Sequence, residues 1–358
     1  MLPKLYIDLD AVAHNYELCK NFAPSAQVAA VVKDNAYGLG AREVAQKLYR
    51  DKNCRRFFVA YASEGAEIRP VTPDADIYLL NGFDTTDIDL IKQFNLAPVL
   101  SSIDQFEKWQ QSGISNIKPA LQVESGLHRL GVSYEEASAL SDAQREQFGL
   151  ILSHLACADE EQNPFNEHQK QELMRYKSLF PNALFSLSAS DGLGLGADFH
   201  FDVVRAGAFM YGLKTCPPLN DKQKQVVCAE VSVLQSKQLQ TGDTIGYNQT
   251  FTAKRPTRIL ALSVGYADGM LRTLSNKGSV FFKYNGNWVK APIVGRVSMD
   301  IILCDITDLP KEIETAPKAF ILNDVYTLDD MGRDAGTIGY EVLSLICNSR
   351  RWQKEYIG

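Results

Sequence analysis

From the N-terminus to about Leu213, short apolar runs alternate with stretches whose apolar positions recur at three- and four-residue spacing. The runs Gln27–Val32, Arg56–Tyr61, Asp76–Leu80, Leu96–Leu100, Pro119–Val123, Gly149–His154, Ala183–Leu187 and Asp202–Arg205 predict strands. Between them Ala41–Tyr49, Thr86–Phe94, Ile103–Gln111, Tyr134–Leu140 and Glu167–Leu179 predict helices. Eight such alternations in about 200 residues favour a (β/α)8 barrel, residues 1–222, over a shorter doubly wound sheet. The pattern changes after the proline-bearing linker Cys216–Lys222. Beyond it, Ala229–Leu234, Arg258–Ser263, Ser279–Tyr284, Ile301–Ile306 and Ala319–Leu322 read as strands separated by turn signals such as Thr241-Gly242-Asp243. Residues 223–358 are therefore expected to form a compact, mostly antiparallel β domain with a helix near Ile338–Ser344.

Composition narrows the function classes. A charged fraction of 22% and an apolar fraction of 45% are those of a soluble globular protein. A net charge of -6 argues against a general nucleic-acid or acidic-membrane partner. No apolar run reaches membrane-spanning length, and Met1–Val12 has neither a basic start nor a continuous apolar stretch, so a cytoplasmic protein is expected. The seven cysteines are scattered and never form a CxxC pair, which disfavours a zinc centre or a disulfide framework and leads us to expect no metal.

The most informative segment is Val31-Val32-Lys33-Asp34-Asn35-Ala36-Tyr37-Gly38-Leu39-Gly40. A lysine at the end of a buried strand loses solvation, its pKa falls, and its amine can form a Schiff base with an aldehyde cofactor. A plain rim lysine capping a strand is the simpler alternative. Barrel geometry supplies a second argument, because side chains at the C-terminal ends of the strands gather on one face. Lys33 follows the first barrel strand, Arg129 the fifth, His154 ends the sixth, Ser190 follows the seventh, and Arg205-Ala206-Gly207-Ala208 the eighth. Two arginines, a lysine and a histidine on one rim suit an anionic, electron-withdrawing cofactor. Ser190, Gly207 and Ala208 offer a hydroxyl and backbone N–H groups to a phosphate, and Tyr37 could reach the same group. In the β domain, Ser263–Gly269 sets Tyr266 in a glycine-flanked bend, Pro292–Asp300 carries Met299, and Tyr340 opens the last helix. Taken singly, each of these reads as an ordinary turn or packing residue.

Together, VVKDNAYGLG, ESGLHRLG, VGYADG, PIVGRVSMD and the final Tyr340-Glu341 helix resemble the bacterial alanine racemases across almost the entire chain. The resemblance implies pyridoxal 5'-phosphate as cofactor and a homodimer that shares its active sites. Lys33 matches the cofactor lysine, which with Tyr266 would form the catalytic pair. Arg205 matches the arginine facing the pyridine nitrogen, His154 the histidine beside the ring, and Arg129 the arginine near the substrate carboxylate. Tyr37, Ser190, Gly207, Ala208 and Tyr340 match phosphate-binding positions, and Met299 a substrate-pocket position. The family's head-to-tail dimer implies that Tyr266 and Met299 serve the partner's site. Racemisation removes a proton from one face of Cα and returns it to the other, so two bases on opposite faces are the economical solution. The implied activity is interconversion of L- and D-alanine, supplying D-alanine for peptidoglycan.

Three departures stand out: Gln122 where many members carry a lysine, Ala189 where asparagine is common, and the glycine-rich Ser190–Gly196. Gln122 could still orient Arg129 by hydrogen bonding. A racemase of broader or shifted specificity, such as for serine, is the nearest alternative, because a pocket discriminates one hydroxyl only weakly. A non-catalytic cofactor carrier would lack the β domain. A decarboxylase of the related fold would place an acid where Arg205 stands.

Overall fold

The computed structural model describes residues 2–358. The chain opens with β1 (Lys4–Asp8), and the Asp8 carboxylate then caps the helix Leu9–Phe22 by accepting the Ala11 N–H. Eight strands follow: β2 (Gln27–Val31), β3 (Arg56–Val59), β4 (Asp76–Leu79), β5 (Ala97–Leu100), β6 (Ala120–Gln122), β7 (Leu150–Leu152), β8 (Leu184–Ser186) and β9 (Val203–Ala206). They pair in parallel in the order β8-β7-β6-β5-β4-β3-β2-β9. A bridge between Ala189 and Arg205, with Arg205 N–H donating to the Ser188 carbonyl at 3.0 Å, closes the ring. Every residue of β5, β6, β7 and β9 is buried, as strands covered on both faces require. All eight lie within two residues of the expected bounds at each end.

The second domain is built on β10 (Val227–Leu239), one strand of 13 residues that serves two partners in succession. Its first half lies between β1 and β17 (Lys318–Leu322). After a register break at Val233–Gln235 its second half pairs with β13 (Thr257–Leu262). Between β10 and β13 lies a short hairpin of β11 (Thr244–Ile245) and β12 (Phe251–Thr252). The hairpin of β14 (Ser279–Tyr284) and β15 (Asn287–Pro292) joins β17, and β16 (Ile302–Asp305) joins β13. The last strand, β18 (Gln353–Ile357), runs parallel to β1, so the sheet is mostly but not wholly antiparallel. The helix Gly339–Asn348 begins one residue after the expected start, with Ile338 as its N-cap, and extends four residues beyond the expected end.

Strand β1 lies within the segment expected to belong to the barrel, yet it is hydrogen-bonded into the β domain on both edges. The N-terminus therefore stitches the two domains together, and one apolar core runs from Leu5 to Trp352. Among the described residues, no helix is long and apolar enough to cross a membrane. Leu5 is fully buried between the two partner strands. Leu5→Ala should therefore cost about 2–5 kcal/mol in denaturant unfolding; a loss below about 0.5 kcal/mol, the range of surface sites, would show that β1 is not part of the core.

Candidate active site

Lys33 leaves the end of β2 through a backbone that only the surrounding structure can hold. The four residues after it, Asp34, Asn35, Ala36 and Tyr37, all have φ between 53° and 56°, a single left-handed helical turn without a glycine. Left-handed helix costs L-residues about 1–2 kcal/mol each. Contacts from three directions offset that cost. The Asp34 carboxylate accepts from Ser344 Oγ and from Asn348 Nδ2, and its backbone N–H donates to Glu64 Oε1 at 2.7 Å. Lys354 Nζ donates to the Gly38 carbonyl at 2.6 Å. Gly38, at φ 85°, sits so close to the last helix that a Cβ there would meet Asn348 N at 2.6 Å. The β domain thus grips the barrel loop that positions Lys33 and Tyr37.

A cavity of about 500 Å³ opens at the C-terminal ends of the barrel strands. It is lined by nine of the eleven residues expected at the site: Lys33, Tyr37, Arg129, His154, Ser190 and Arg205, with Gly207, Ala208 and Tyr340. Arg205 is 4% exposed, and its guanidinium bonds only to neutral acceptors. These are Ser186 Oγ at 2.5 Å, the Ser153 and Leu187 carbonyls at 2.7 and 3.1 Å, and His154 Nδ1 at 3.3 Å. Burial and the neighbouring Arg129 lower its pKa to about 10, so it keeps its charge at neutral pH. A guanidinium can only donate, so His154 Nδ1 must accept and the imidazole is neutral. Burial, then Arg205, Arg129 and Lys33, push the His154 pKa down to about 3. Burial first, and Arg129 second, also lower the Lys33 ammonium, which leaves more of its amine as free base.

At the other side of the cavity Ser190 Oγ accepts the N–H groups of Gly207 and Phe209 at 2.9 and 3.2 Å, folding the loop after β9 around the hydroxyl. Tyr37 packs between Tyr211 and Tyr340, with ring centroids 5.1 and 6.4 Å away. A Cβ on Gly207 would lie 3.1 Å from the Tyr37 hydroxyl, so only the smallest residue leaves this corner open. The charges of the lining are lopsided: Lys33, Arg129 and Arg205 are cationic, and Asp191 is the one carboxylate. Open space, a buried unneutralised guanidinium and converging hydroxyls fit a small organic anion carrying a phosphate.

Tyr266 and Met299 are not among the residues lining this cavity. They stand together on the surface of the β domain, 44% and 53% exposed. Their loops are interlocked: Tyr266 N–H donates to the Ser298 carbonyl and Ala267 N–H to that of Met299, each at 3.0 Å. Gly265 has no room for a Cβ, which would sit 2.3 Å from the Met299 carbonyl oxygen. Arg351 bridges the two loops, binding the buried Asp268 at 3.1 Å and Asp300 at 2.6 Å.

Gln122 does not hold Arg129 as expected. Its amide donates instead to the Leu130 carbonyl at 3.1 Å, fixing the backbone of the loop while the Arg129 side chain stays exposed. Two lining residues, Asn81 and Asp191, went unnoticed in the sequence. Asn81 lies just past β4, where the strand-end argument that singled out Lys33 also applies. Asp191 lies inside the glycine-rich stretch after Ser190, where no pattern marks it.

Residues 7–215 match the family model "Alanine racemase, N-terminal domain", and residues 226–356 match "Alanine racemase, C-terminal domain". The chain is similar to an alanine racemase of Rickettsia africae, 40% identical with 98% of each chain covered. It is also similar to a catabolic alanine racemase of Agrobacterium fabrum, 38% identical over 99% of this chain and 92% of that one. Among solved structures it superposes on the alanine racemase of Bartonella henselae, which holds covalently bound pyridoxal phosphate, with TM-score 0.92 and 35% identity over the full length of both. The biosynthetic alanine racemase of Pseudomonas aeruginosa gives TM-score 0.91 at 32% identity over 100% of this chain and 99% of that one.

The neutral state of His154 is open to direct observation. Because the folded pKa lies near 3 against an ordinary 6.5, only the unfolded chain takes up this proton between those values. His154 therefore contributes falling stability as pH drops below about 6.5, and nothing to the pH dependence above it. Its ring resonances should stay those of a neutral imidazole from pH 8 down to about pH 5. A titration near the ordinary histidine value would contradict the Arg205 contact.

Proposed function

The chain belongs to the alanine racemase family, and from that premise we propose that it interconverts L- and D-alanine with Lys33 and Tyr266 as the two bases. Lys33, Tyr37, His154, Ser190, Arg205, Gly207, Ala208 and Tyr340 would hold pyridoxal 5'-phosphate, with Arg129 and Met299 facing the substrate. When bound, this cofactor supplies an electron-withdrawing ring conjugated to the substrate nitrogen, which acidifies the Cα–H bond. The single observation that carries the reading is the gathering of nine expected residues around one cationic cavity while Tyr266 and Met299 stand exposed elsewhere.

Each side chain has a physical task. The Lys33 ammonium, desolvated and beside Arg129, gives up its proton more readily than an exposed lysine, and the amine can take the proton from one face of Cα. Tyr266 of a second copy would serve the opposite face. Arg205 has no proton to surrender at neutral pH, so it would leave the ring nitrogen it faces unprotonated and weaken the electron sink, which limits side reactions such as transamination. His154, kept neutral by burial, carries the influence of Arg205 toward the substrate side. Ser190, Tyr37 and Tyr340 hydroxyls with the N–H groups of the 207–208 corner would bind the phosphate.

A homodimer is supported by the exposed Tyr247, Tyr266, Met299 and Ile301 of the β domain: Tyr247 and Ile301 line one surface cavity with Ser298, whose carbonyl accepts the Tyr266 N–H. The pairing would be head to tail, so that the Tyr266 loop of each copy completes the cavity of the other. The place of action is the cytoplasm, where D-alanine enters peptidoglycan synthesis.

The test follows L-alanine in D2O by proton NMR with chiral analysis of the product. The protein should wash out the α-proton signal and yield D-alanine. Lys33→Ala and Tyr266→Phe should each lower racemisation by at least about 100-fold. Exchange of the α-proton with retention of L-alanine in Tyr266→Phe would isolate the Lys33 face. Racemisation at wild-type rate in either variant would sink the two-base assignment.

A further inference from the structure

The glycine-rich stretch after Ser190 carries an acid in a cavity otherwise furnished for an anion. Asp191 Oδ2 accepts from the Tyr340 hydroxyl at 2.8 Å. Tyr340 is one of the hydroxyls proposed for the phosphate, so a phosphate bound by Tyr340 lies within one hydroxyl group of the Asp191 carboxylate. Two anions that close, in a partly buried site, do not both stay ionised. A tyrosine has one O–H to donate, so Tyr340 can serve Asp191 or the phosphate but not both at full strength.

The surroundings offer little to neutralise a second negative charge. Tyr340 bonds Asp191 from the last helix, and Tyr37, in the left-handed turn, stands close enough to feel its charge. On its other side Asp191 also lines a smaller cavity of about 90 Å³, shared with Asp159, Glu161 and the exposed Lys214. The Cys216 thiol is close enough to feel the carboxylate and carries no charge. Burial raises the Asp191 pKa, Asp159 raises it further, and only Tyr340 and its own backbone N–H oppose them. The smaller cavity gives solvent a second approach to Asp191.

We infer that Asp191 is a further cofactor-binding residue, one that meets the phosphate as the neutral carboxylic acid and donates its proton to a phosphate oxygen. On binding, the carboxylate takes one proton from solvent and forms an O–H bond; on release the proton returns to solvent. No other bond is made or broken. This rests on the proposed phosphate site, and it predicts that the protein's preference for the phosphorylated form of its cofactor weakens with rising pH.

The experiment compares pyridoxal phosphate with pyridoxal, which lacks the phosphate but meets Lys33 in the same way. Dissociation constants are read from the absorbance of apoprotein titrated with each compound at several pH values. In the wild type the advantage of the phosphorylated compound should fall by up to about tenfold per pH unit above the carboxyl's pKa. In Asp191→Asn that dependence should flatten to what the phosphate's own titration near pH 6 contributes. The same slope in wild type and variant would overturn the inference. A second arm needs no variant: calorimetry at about pH 8 in buffers of different ionisation enthalpy should show about one more proton taken up with pyridoxal phosphate than with pyridoxal. Equal uptake would overturn it. Failure of the wild type to bind either compound, or binding that survives Lys33→Ala unchanged, would instead reject the cofactor site on which the inference stands.

Discussion

The structure depends on four consecutive residues, Asp34 to Tyr37, being held left-handed without a glycine among them. Nothing local favours that conformation, and a free peptide of this sequence would leave it at once. It survives because the β domain closes over it: Ser344 and Asn348 grip the Asp34 carboxylate, Lys354 takes the Gly38 carbonyl, and Gly38 packs against the backbone of the last helix. The consequence is positional. The turn points Lys33 into the barrel mouth and sets Tyr37 between Tyr211 and Tyr340. Strain at a site is stored where the rest of the fold over-determines it, and here the second domain does the over-determining. The domain junction is therefore part of the active-site architecture.

Electrostatics completes what the turn begins. Arg205 is buried with neutral partners only, and His154 accepts from it and stays uncharged. A buried cation with no counter-ion is costly unless something anionic or electron-rich arrives. Burial first, and the Arg129 charge second, hold down the Lys33 pKa, so the cavity that prepares an anion site also prepares a base. By contrast, the other proposed base is carried on a rigid surface turn, locked to the Met299 loop by backbone bonds and by Arg351. A stiff, exposed tyrosine outside the lining of its own chain's cavity is what a site assembled from two copies would require.

Much of this was legible in the sequence, for identifiable reasons. Buried parallel strands are short apolar runs, so all eight barrel strands could be read, and the strand-end rule then collected the lysine, histidine and arginines on one rim. The missed strands have polar or alternating sequences: β1 and β18 take their place from partners far along the chain, whereas β15 and the two-residue β11 and β12 form in local hairpins. The left-handed turn was invisible because Asp34, Asn35, Ala36 and Tyr37 carry no signal for positive φ as a run. Asp191 was missed because its meaning comes from Tyr340, 149 positions away. Gln122 was misjudged because a side-chain amide at that place has a backbone carbonyl nearer than the arginine.

In the proposed dimer each active site takes Lys33 from one chain and Tyr266 from another. Mixing the two inactive variants, Lys33→Ala and Tyr266→Phe, under conditions that exchange subunits tests it most directly. A mixed dimer would contain one doubly impaired site and one site with both bases intact. Recovery of alanine racemisation on mixing, to roughly a quarter of the wild-type rate from statistical pairing of subunits, is the result predicted here. No recovery, with subunit exchange verified independently, would mean that both bases belong to one chain, and the account of a shared site would be wrong.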